Sequence, residues 1–382
     1  MHSVDNLAHD AMEDWAAREL ERAPRTLSSA QRPRAVVDGK EMTLFSSSNY
    51  LGLAHHPAVI GAARDAIENY GVGAGGSRLT TGNLDLHQKA ERALAAYFRT
   101  EDAVLFPSGY QANVSVVGAL AKLAKQAGTP VRVFSDEKNH ASLIDGVRRE
   151  EKEIYAHLDL GDLRARLEAC PSGQQPLVVT DGVFSMDGDL VDYPALRALA
   201  AEFGAWLLVD DAHGVGSLGR GVTSGYPLPD ILIGTASKAL GAEGGFACCS
   251  AALGRFLRHQ ARGYVFSTAP SPAIPAAIIA ALGLIPEREP LLRERVARFR
   301  GVVGAGASPS PIIPIHCVNT AQVMRAASEL ADAGFMVTPI RYPTVPRDEP
   351  LLRICIMATH QLADLDSLAS LCVKYSVSRP TH

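Results

Sequence analysis

Between residues 103 and 250 the chain carries six short, almost uniformly apolar runs: AVLF (103–106), VRVF (131–134), PLVVTD (176–181), WLLVD (206–210), ILIGT (231–235) and GFACCS (245–250). Segments of helical period, such as YPALRALAAEFGA (193–205), separate most of them. A strand with one face in water alternates polar and apolar residues, whereas a strand that is apolar throughout is covered on both faces. Strands of this kind alternating with helices predict an α/β fold built on a large, mostly parallel sheet with helices on both sides.

The flanks extend this frame. HPAVIGAARDAIENY (56–70) and LHQKAERALAAYFR (86–99) read as amphipathic helices. A helical stretch at 270–300 leads to a small-residue break, GVVGAGASPSP (301–311). Beyond it come a strand (IIPIHCV), a helix (TAQVMRAASELADAG), a strand, the turn YPTVPRDEP, a strand (LLRICIM) and a helix, which predict a smaller α+β C-terminal domain. The expected division is an N-terminal segment at 1–44, a large domain at 45–285 and a small domain at 286–382. With 382 residues, 47% of them hydrophobic, the chain can bury cores of that size.

Charge and cysteine usage narrow the function. Lys+Arg 37 against Asp+Glu 41 leaves a net charge of −4, which favours neither nucleic acid nor an anionic membrane as partner. Cys170, Cys248, Cys249, Cys317, Cys355 and Cys372 contain no C-x-x-C pair and read as small hydrophobes in a reducing compartment. The N-terminus is acidic without an apolar core, unlike a secretory signal. AIPAAIIAALGLIP (273–286) reads as proline-broken and too short to cross a bilayer. A soluble, cytoplasmic protein is expected, with no metal site.

GVGAGG (71–76) satisfies the dinucleotide pattern G-x-G-x-x-G. That site needs a strand before it and a helix N-terminus directly after it. Here a helix precedes it and SRLTTGN delays the next helix, so the glycines are expected to supply positive φ or a close approach to a ligand.

In GTASKALGAEGG (234–245) one lysine, Lys238, stands among small residues just after the apolar run ILIGT. Pyridoxal phosphate (PLP) held on a lysine needs an acid at its pyridine nitrogen, a cradle for its phosphate and something flat over its ring. Asp210 ends the run WLLVD, at the strand ends where open α/β sheets bind ligands, and His213 follows three residues later. In FPSGYQAN (106–113) a helix is expected to start near Gly109 after Ser108, leaving free N–H groups for an anion. Thr235 can add a hydroxyl, and His140 follows VRVF, free to stack on a ring. Singly, each residue has a plain structural reading: Asp210 or Asp211 a turn cap, either histidine a satisfied polar residue, Ser108 an N-cap. Together they would have to meet at one sheet edge by accident, which favours Lys238 as a covalent catalyst.

These residues resemble those of the α-oxoamine synthases, PLP enzymes of fold type I, the aspartate-aminotransferase fold. The resemblance runs from SSNYLGLAHHPAVI (47–60) to LLRICIMATH (351–360), through GAGGSRLTTGNLDLHQ, FPSGY, NHASLIDG, DGVFSMDGD, VDDAHGVG, TASKALG and YPTVP. It implies that Lys238 binds PLP as a Schiff base, Asp210 pairs with the ring nitrogen and His140 stacks on the ring. It further implies that His213 and Ser185 contact the ring hydroxyl, and that Ser108, Gly109, Tyr110 and Thr235 hold the phosphate. Thr268, in FSTAPSP, would reach the phosphate of a second subunit, implying a homodimer with shared active sites. Arg353 would bind the amino-acid carboxylate, as guanidinium does bidentately. Ser48 stands where the family commonly has an asparagine beside that carboxylate. Arg25 is the candidate for the acyl substrate among Arg18, Arg22, Arg25, Arg32 and Arg34. The implied reaction is a decarboxylative condensation of an amino acid with an acyl-CoA or acyl-carrier-protein thioester. In the branch this chain looks most like, the substrates are L-alanine and pimeloyl-CoA, in biotin synthesis. Another α-oxoamine synthase (acting on glycine, or in secondary metabolism), an aminotransferase, and a non-enzymatic binding protein on the same scaffold stay open.

Overall fold

The computed structural model describes residues 3–18, 20, 21 and 23–375. All six apolar runs are strands of one seven-stranded sheet, in the order Asp102–Phe106, Gly245–Cys249, Ile231–Thr235, Trp206–Asp210, Gln175–Asp181, Val131–Asp136 and Glu151–Tyr155. Gly245–Cys249 runs antiparallel to both neighbours, and the other pairings are parallel. The uniform apolarity follows from the two covered faces. Leu207, Val209, Val178, Leu232 and Phe246 face one core, while Leu208, Leu177, Val179, Ile231 and Ile233 face the other. Each such fully buried side chain contributes about 1.5–3 kcal/mol.

Glu151–Tyr155 is the strand that the apolar pattern does not reveal. Three of the five residues in EKEIY are charged because it is an edge strand, where charge blocks further pairing. Arg132 on the neighbouring strand pairs with both Glu151 and Glu153.

An N-terminal hairpin, Arg34–Val37 and Lys40–Leu44, turns at Asp38-Gly39 with both φ angles positive, as tight hairpins require. Phe335–Met336 adds to it in parallel. The C-terminal part is an antiparallel sheet, Ile312–His316, Leu351–Cys355 and Thr338–Ile340, together with the helices Thr320–Asp332 and Leu362–Cys372.

The expected break in AIPAAIIAALGLIP does not occur. One helix, Ala273–Val303, continues through Pro286 and Pro290 and crosses the 285/286 boundary drawn from sequence. Its packing against Pro57–Tyr70, Asp85–Phe98 and Leu362–Cys372 holds it helical despite the donors that proline lacks. Among the described residues, no helix is long and apolar enough to cross a membrane.

In GVGAGG, Gly71 and Gly75 have φ of 82° and 74°. Positive φ is thus one expected use of glycine found here; a β-carbon on Gly82, at the end of the following loop, would overlap the backbone of Gly76.

Candidate active site

The carboxyl ends of the parallel strands open onto a cavity of about 230 Å³. Ser108, Gly109, Tyr110, His140, Asp210, His213, Thr235 and Lys238 line it, joined by Ser142, Asp181, Val183, Ala212 and Ser237. Ser185, Thr268, Arg353, Ser48 and Arg25 are not among its lining residues.

The small residues around Lys238 are required by close backbone approaches. A β-carbon on Gly245 would lie 2.5 Å from Gly109 Cα, and one on Gly109 would lie 3.2 Å from Thr235 Cβ. Gly241, at φ 64°, presses on the backbone of Leu53 and Ala54. The loop is thus clamped between the Ser108–Gly109 turn and the Leu53–Ala54 segment. Burial lowers the Lys238 pKa; Asp210 and Asp181 oppose that shift and Arg353 adds to it. The side chain has no hydrogen-bond partner among the described residues. An amine kept in this state gives up its proton readily and acts as nucleophile or base.

Asp210 ends its strand and is held from two sides. Asn113 Nδ2 donates to its Oδ2, and the Ala212 N–H donates to its Oδ1 at 3.0 Å. Asn113 Nδ2 also donates to Ser142 Oγ at 2.8 Å, and that hydroxyl lies 2.7 Å from His140 Nδ1. His140 Nδ1 accepts from the Ser142 N–H at 3.2 Å, so its proton sits on Nε2. Asp181 occupies the register position beside Asp210 on the next strand. Burial and the charge of Asp210 raise its pKa well above the carboxylate range. Asp211 plays a different part: its carboxyl accepts from the Val222 N–H at 2.8 Å and fills the space left by Gly182, Gly214 and Gly221.

On the opposite wall, the Tyr50 hydroxyl lies 2.7 Å from His213 Nδ1. Burial, with the cations Lys238 and Arg353, lowers the His213 pKa well below its usual value, so the ring is neutral. Arg353 Nε donates to the Ser185 carbonyl, and its Nη1 lies 3.1 Å from Cys355 Sγ. Ser185 is therefore engaged through its backbone, next to the cavity-lining Val183. Burial raises the Tyr50 pKa, and Arg353 and Ser48 oppose that shift.

At the anion end, Ser108 caps the helix Gly109–Gln126 by accepting from the Gln111 N–H at 3.2 Å. The first N–H groups of that helix lack intrahelical acceptors. Thr235 Oγ1 lies 2.8 Å from Ser237 Oγ and donates to the Gly244 carbonyl at 2.9 Å. Tyr110 contributes backbone here, since its hydroxyl turns out to Asp145.

The remaining candidates lie elsewhere. Thr268 is exposed and bridges to Ser77. Arg25 pairs with Asp38 on the surface, Arg18 with Asp14, Arg34 with Asp364, and Arg32 meets His55. Arg22 lies outside the described residues.

This donor set fits PLP. The helix N-terminus suits a phosphate dianion, Asp210 a pyridinium nitrogen, and the buried Lys238 amine an aldehyde. Ser142, Asp181, Ser237 and Tyr50 were not singled out from sequence. Asp181 carries the same signal as Asp210, an acid closing an apolar run. Tyr50 carries none, because its partner is 163 residues away.

The family model for aminotransferase class I and II matches residues 40–371. The chain is 43% identical, over 96% of its length, to the biotin biosynthesis bifunctional protein BioWF of Corynebacterium kroppenstedtii, of which it spans 57%. It is 42% identical over 94% of its length to the putative 8-amino-7-oxononanoate synthase of Desulfovibrio desulfuricans, spanning 96% of that protein. Its structure is similar to that of SPT with a PLP internal aldimine, with a TM-score of 0.90, 28% identity and 98% of each chain covered. The sheet, the cavity at its carboxyl edge and these matches agree: the chain belongs to the aminotransferase class I and II family, as a pyridoxal-phosphate-dependent enzyme whose relatives are named 8-amino-7-oxononanoate synthases.

Proposed function

We propose that the protein condenses L-alanine with a pimeloyl thioester to give 8-amino-7-oxononanoate, releasing the thiol and carbon dioxide. The observation that carries this reading is the 42% identity along nearly the whole chain to a relative of that name. Bound PLP supplies an electron sink for charge developing at the amino-acid α-carbon.

The chain's own residues do the rest. Ser108, Gly109, Tyr110 and Thr235 hold the phosphate, Asp210 holds a proton on the ring nitrogen, and His213 donates to the ring oxygen. Lys238 would hold the cofactor, and its Nζ, when free, would take the α-proton of the amino acid. Arg353 binds the amino-acid carboxylate, with Ser48 close by. His140 presents its Nε2–H to the cavity, where it donates to the thioester oxygen as that oxygen gains charge. A second subunit supplies Thr268. The exposure of Thr268, beside Phe266 (71% exposed) and across the 77–268 bridge from Leu79 (56%), supports a dimer contact there.

The likeness to SPT favours a second reading, in which serine and a long-chain acyl thioester are the substrates. The test is a product mass spectrum of holoenzyme given pimeloyl-CoA or a pimeloyl-carrier-protein thioester with L-alanine, glycine or L-serine. An alanine-dependent product of the mass of 8-amino-7-oxononanoate is expected. A product only with serine and a long-chain acyl-CoA would replace the first reading by the second. No change in the cofactor's visible band with any amino acid would defeat both.

A further inference from the structure

A cleft of about 350 Å³ lies between the end of the helix Asp85–Phe98 and the segment 220–228, which leads into the strand Ile231–Thr235. Its lining includes Arg99, Arg220, Thr223, Tyr226, Pro227 and Leu228, but no acidic residue. It has no residue in common with the active-site cavity.

Two cations line this cleft without a counter-charge. Arg99 is exposed and Arg220 half-buried, and among the described residues neither guanidinium has an ion-pair or hydrogen-bond partner. Elsewhere the chain compensates such arginines, as where Arg78 and Arg258 share Glu91. Arg99 also closes its helix in the left-handed region, at φ 61° and ψ 40°. Glycine usually takes such a helix end, because a β-carbon there crowds the backbone. The helix end by itself does not call for arginine.

Thr223 gives an independent sign of a ligand. The residue is 2% exposed, and its Oγ1 is buried without a hydrogen-bond partner. Buried hydroxyls are nearly always paired, so this one marks a place for an acceptor. The wall beyond it is fixed. The Tyr226 N–H donates to the Thr223 carbonyl at 3.1 Å, and the Tyr193 hydroxyl to the Pro227 carbonyl at 2.6 Å. Arg197 Nε donates to the Leu228 carbonyl at 3.4 Å. Along this wall the Tyr226 side chain stays half exposed.

Charge and donor counting select the ligand. Two uncompensated guanidinium groups match a dianion. A phosphate monoester carries about −1.5 to −2 at pH 7 and offers three terminal oxygens, enough for both arginines and the Thr223 hydroxyl. A carboxylate brings one charge and two oxygens, and leaves part of this donor set unpaired. We propose that the cleft is an anion site, separate from the active site, that binds a phosphate dianion through Arg99, Arg220 and Thr223. Tyr226, Pro227 and Leu228 offer flat apolar surface to an esterified group, which distinguishes a phosphate ester from the free ion. The site does not depend on which substrates the active site takes.

The test uses holoenzyme, whose PLP fills the phosphate cradle at Gly109, so that added phosphate is read at the cleft. Phenyl phosphate, inorganic phosphate and phenylacetate are titrated separately by calorimetry. Phenyl phosphate is expected to bind once per chain and more tightly than phenylacetate. Tighter binding than inorganic phosphate would support the site with an ester as its ligand; equal affinity would support it with the free ion.

Arg99→Gly, which suits the helix end, and Arg220→Gln are each expected to weaken phenyl phosphate about tenfold, the size of one charge-assisted hydrogen bond. Thr223→Val keeps the shape and is expected to weaken it several-fold. The visible cofactor band of each variant checks that it is folded. No saturable binding of either phosphate would overturn the proposal. So would phenylacetate bound as tightly as phenyl phosphate, or binding that either arginine variant leaves unchanged.

Discussion

Lys238 and Arg353 divide the chemistry between a group that must lose a proton and one that must keep its charge. Burial lowers the Lys238 pKa. Lys238→Ala is therefore expected to retain cofactor but lose turnover by roughly 10²–10⁴-fold, the span of general acid–base contributions, as measured by steady-state assay of the product. Arg353→Lys keeps the charge but loses the planar fork, so the amino-acid KM should rise about tenfold with a smaller change in kcat. An unchanged KM would place the carboxylate elsewhere. At this scale the sequence was informative wherever chemistry follows from a strand end. Lys238, Asp210, His140 and His213 all sit just beyond apolar runs and all line one cavity. Asn113 and Ser142, which link Asp210 to His140, act through tertiary contacts that spacing does not encode. Nor does the motif VFSMDGD tell that Ser185 engages Arg353 by its carbonyl.

Elements are held in place by ion pairs whose burial decides their worth. Arg78 and Glu91 form a bidentate pair at 3.0 and 3.1 Å, with side chains only 3% and 6% exposed. They tie the glycine-rich loop to the helix Asp85–Phe98, and Glu91 also accepts from the Leu105 N–H at 3.0 Å. Removing one partner strands the other charge, so Arg78→Leu should cost about 3 kcal/mol in chemical denaturation. Near-native stability would mean that Arg258, which also reaches Glu91, suffices alone. His157 offers a pH test. Burial lowers its pKa, but hydrogen bonds to Asp136 and Asp189 prevail and raise it to about 9. A raised folded-state pKa stabilises fully below the unfolded value and is lost as pH rises through about 9. His157→Gln should thus lower Tm at pH 6 by ~2–5 °C and matter little at pH 10. A Tm difference that does not vary with pH would contradict it. Glu151–Tyr155 hides its strand under edge charges, whereas the hairpin at Asp38-Gly39 carried a legible turn signal that apolar periodicity passes over.

For the molecule as a whole, the α/β architecture with its large, mostly parallel sheet followed from six apolar runs, because two covered faces leave few other patterns. A continuous helix through Pro286 and Pro290 did not follow, since packing outweighed local propensity there. The proposed dimer can be tested by complementation. If Lys238 of one subunit works with Thr268 of the other, mixing the inactive Lys238→Ala and Thr268→Arg variants should restore about a quarter of native activity, through the intact site of each heterodimer. No recovery after verified subunit exchange would confine each site to one chain. The central claim, that Lys238 carries the cofactor at the sheet's carboxyl edge, is tested most directly by reducing holoenzyme with borohydride and mapping the peptides by mass. The account predicts a phosphopyridoxyl group on Lys238 alone; modification of another lysine, or of none, would contradict it.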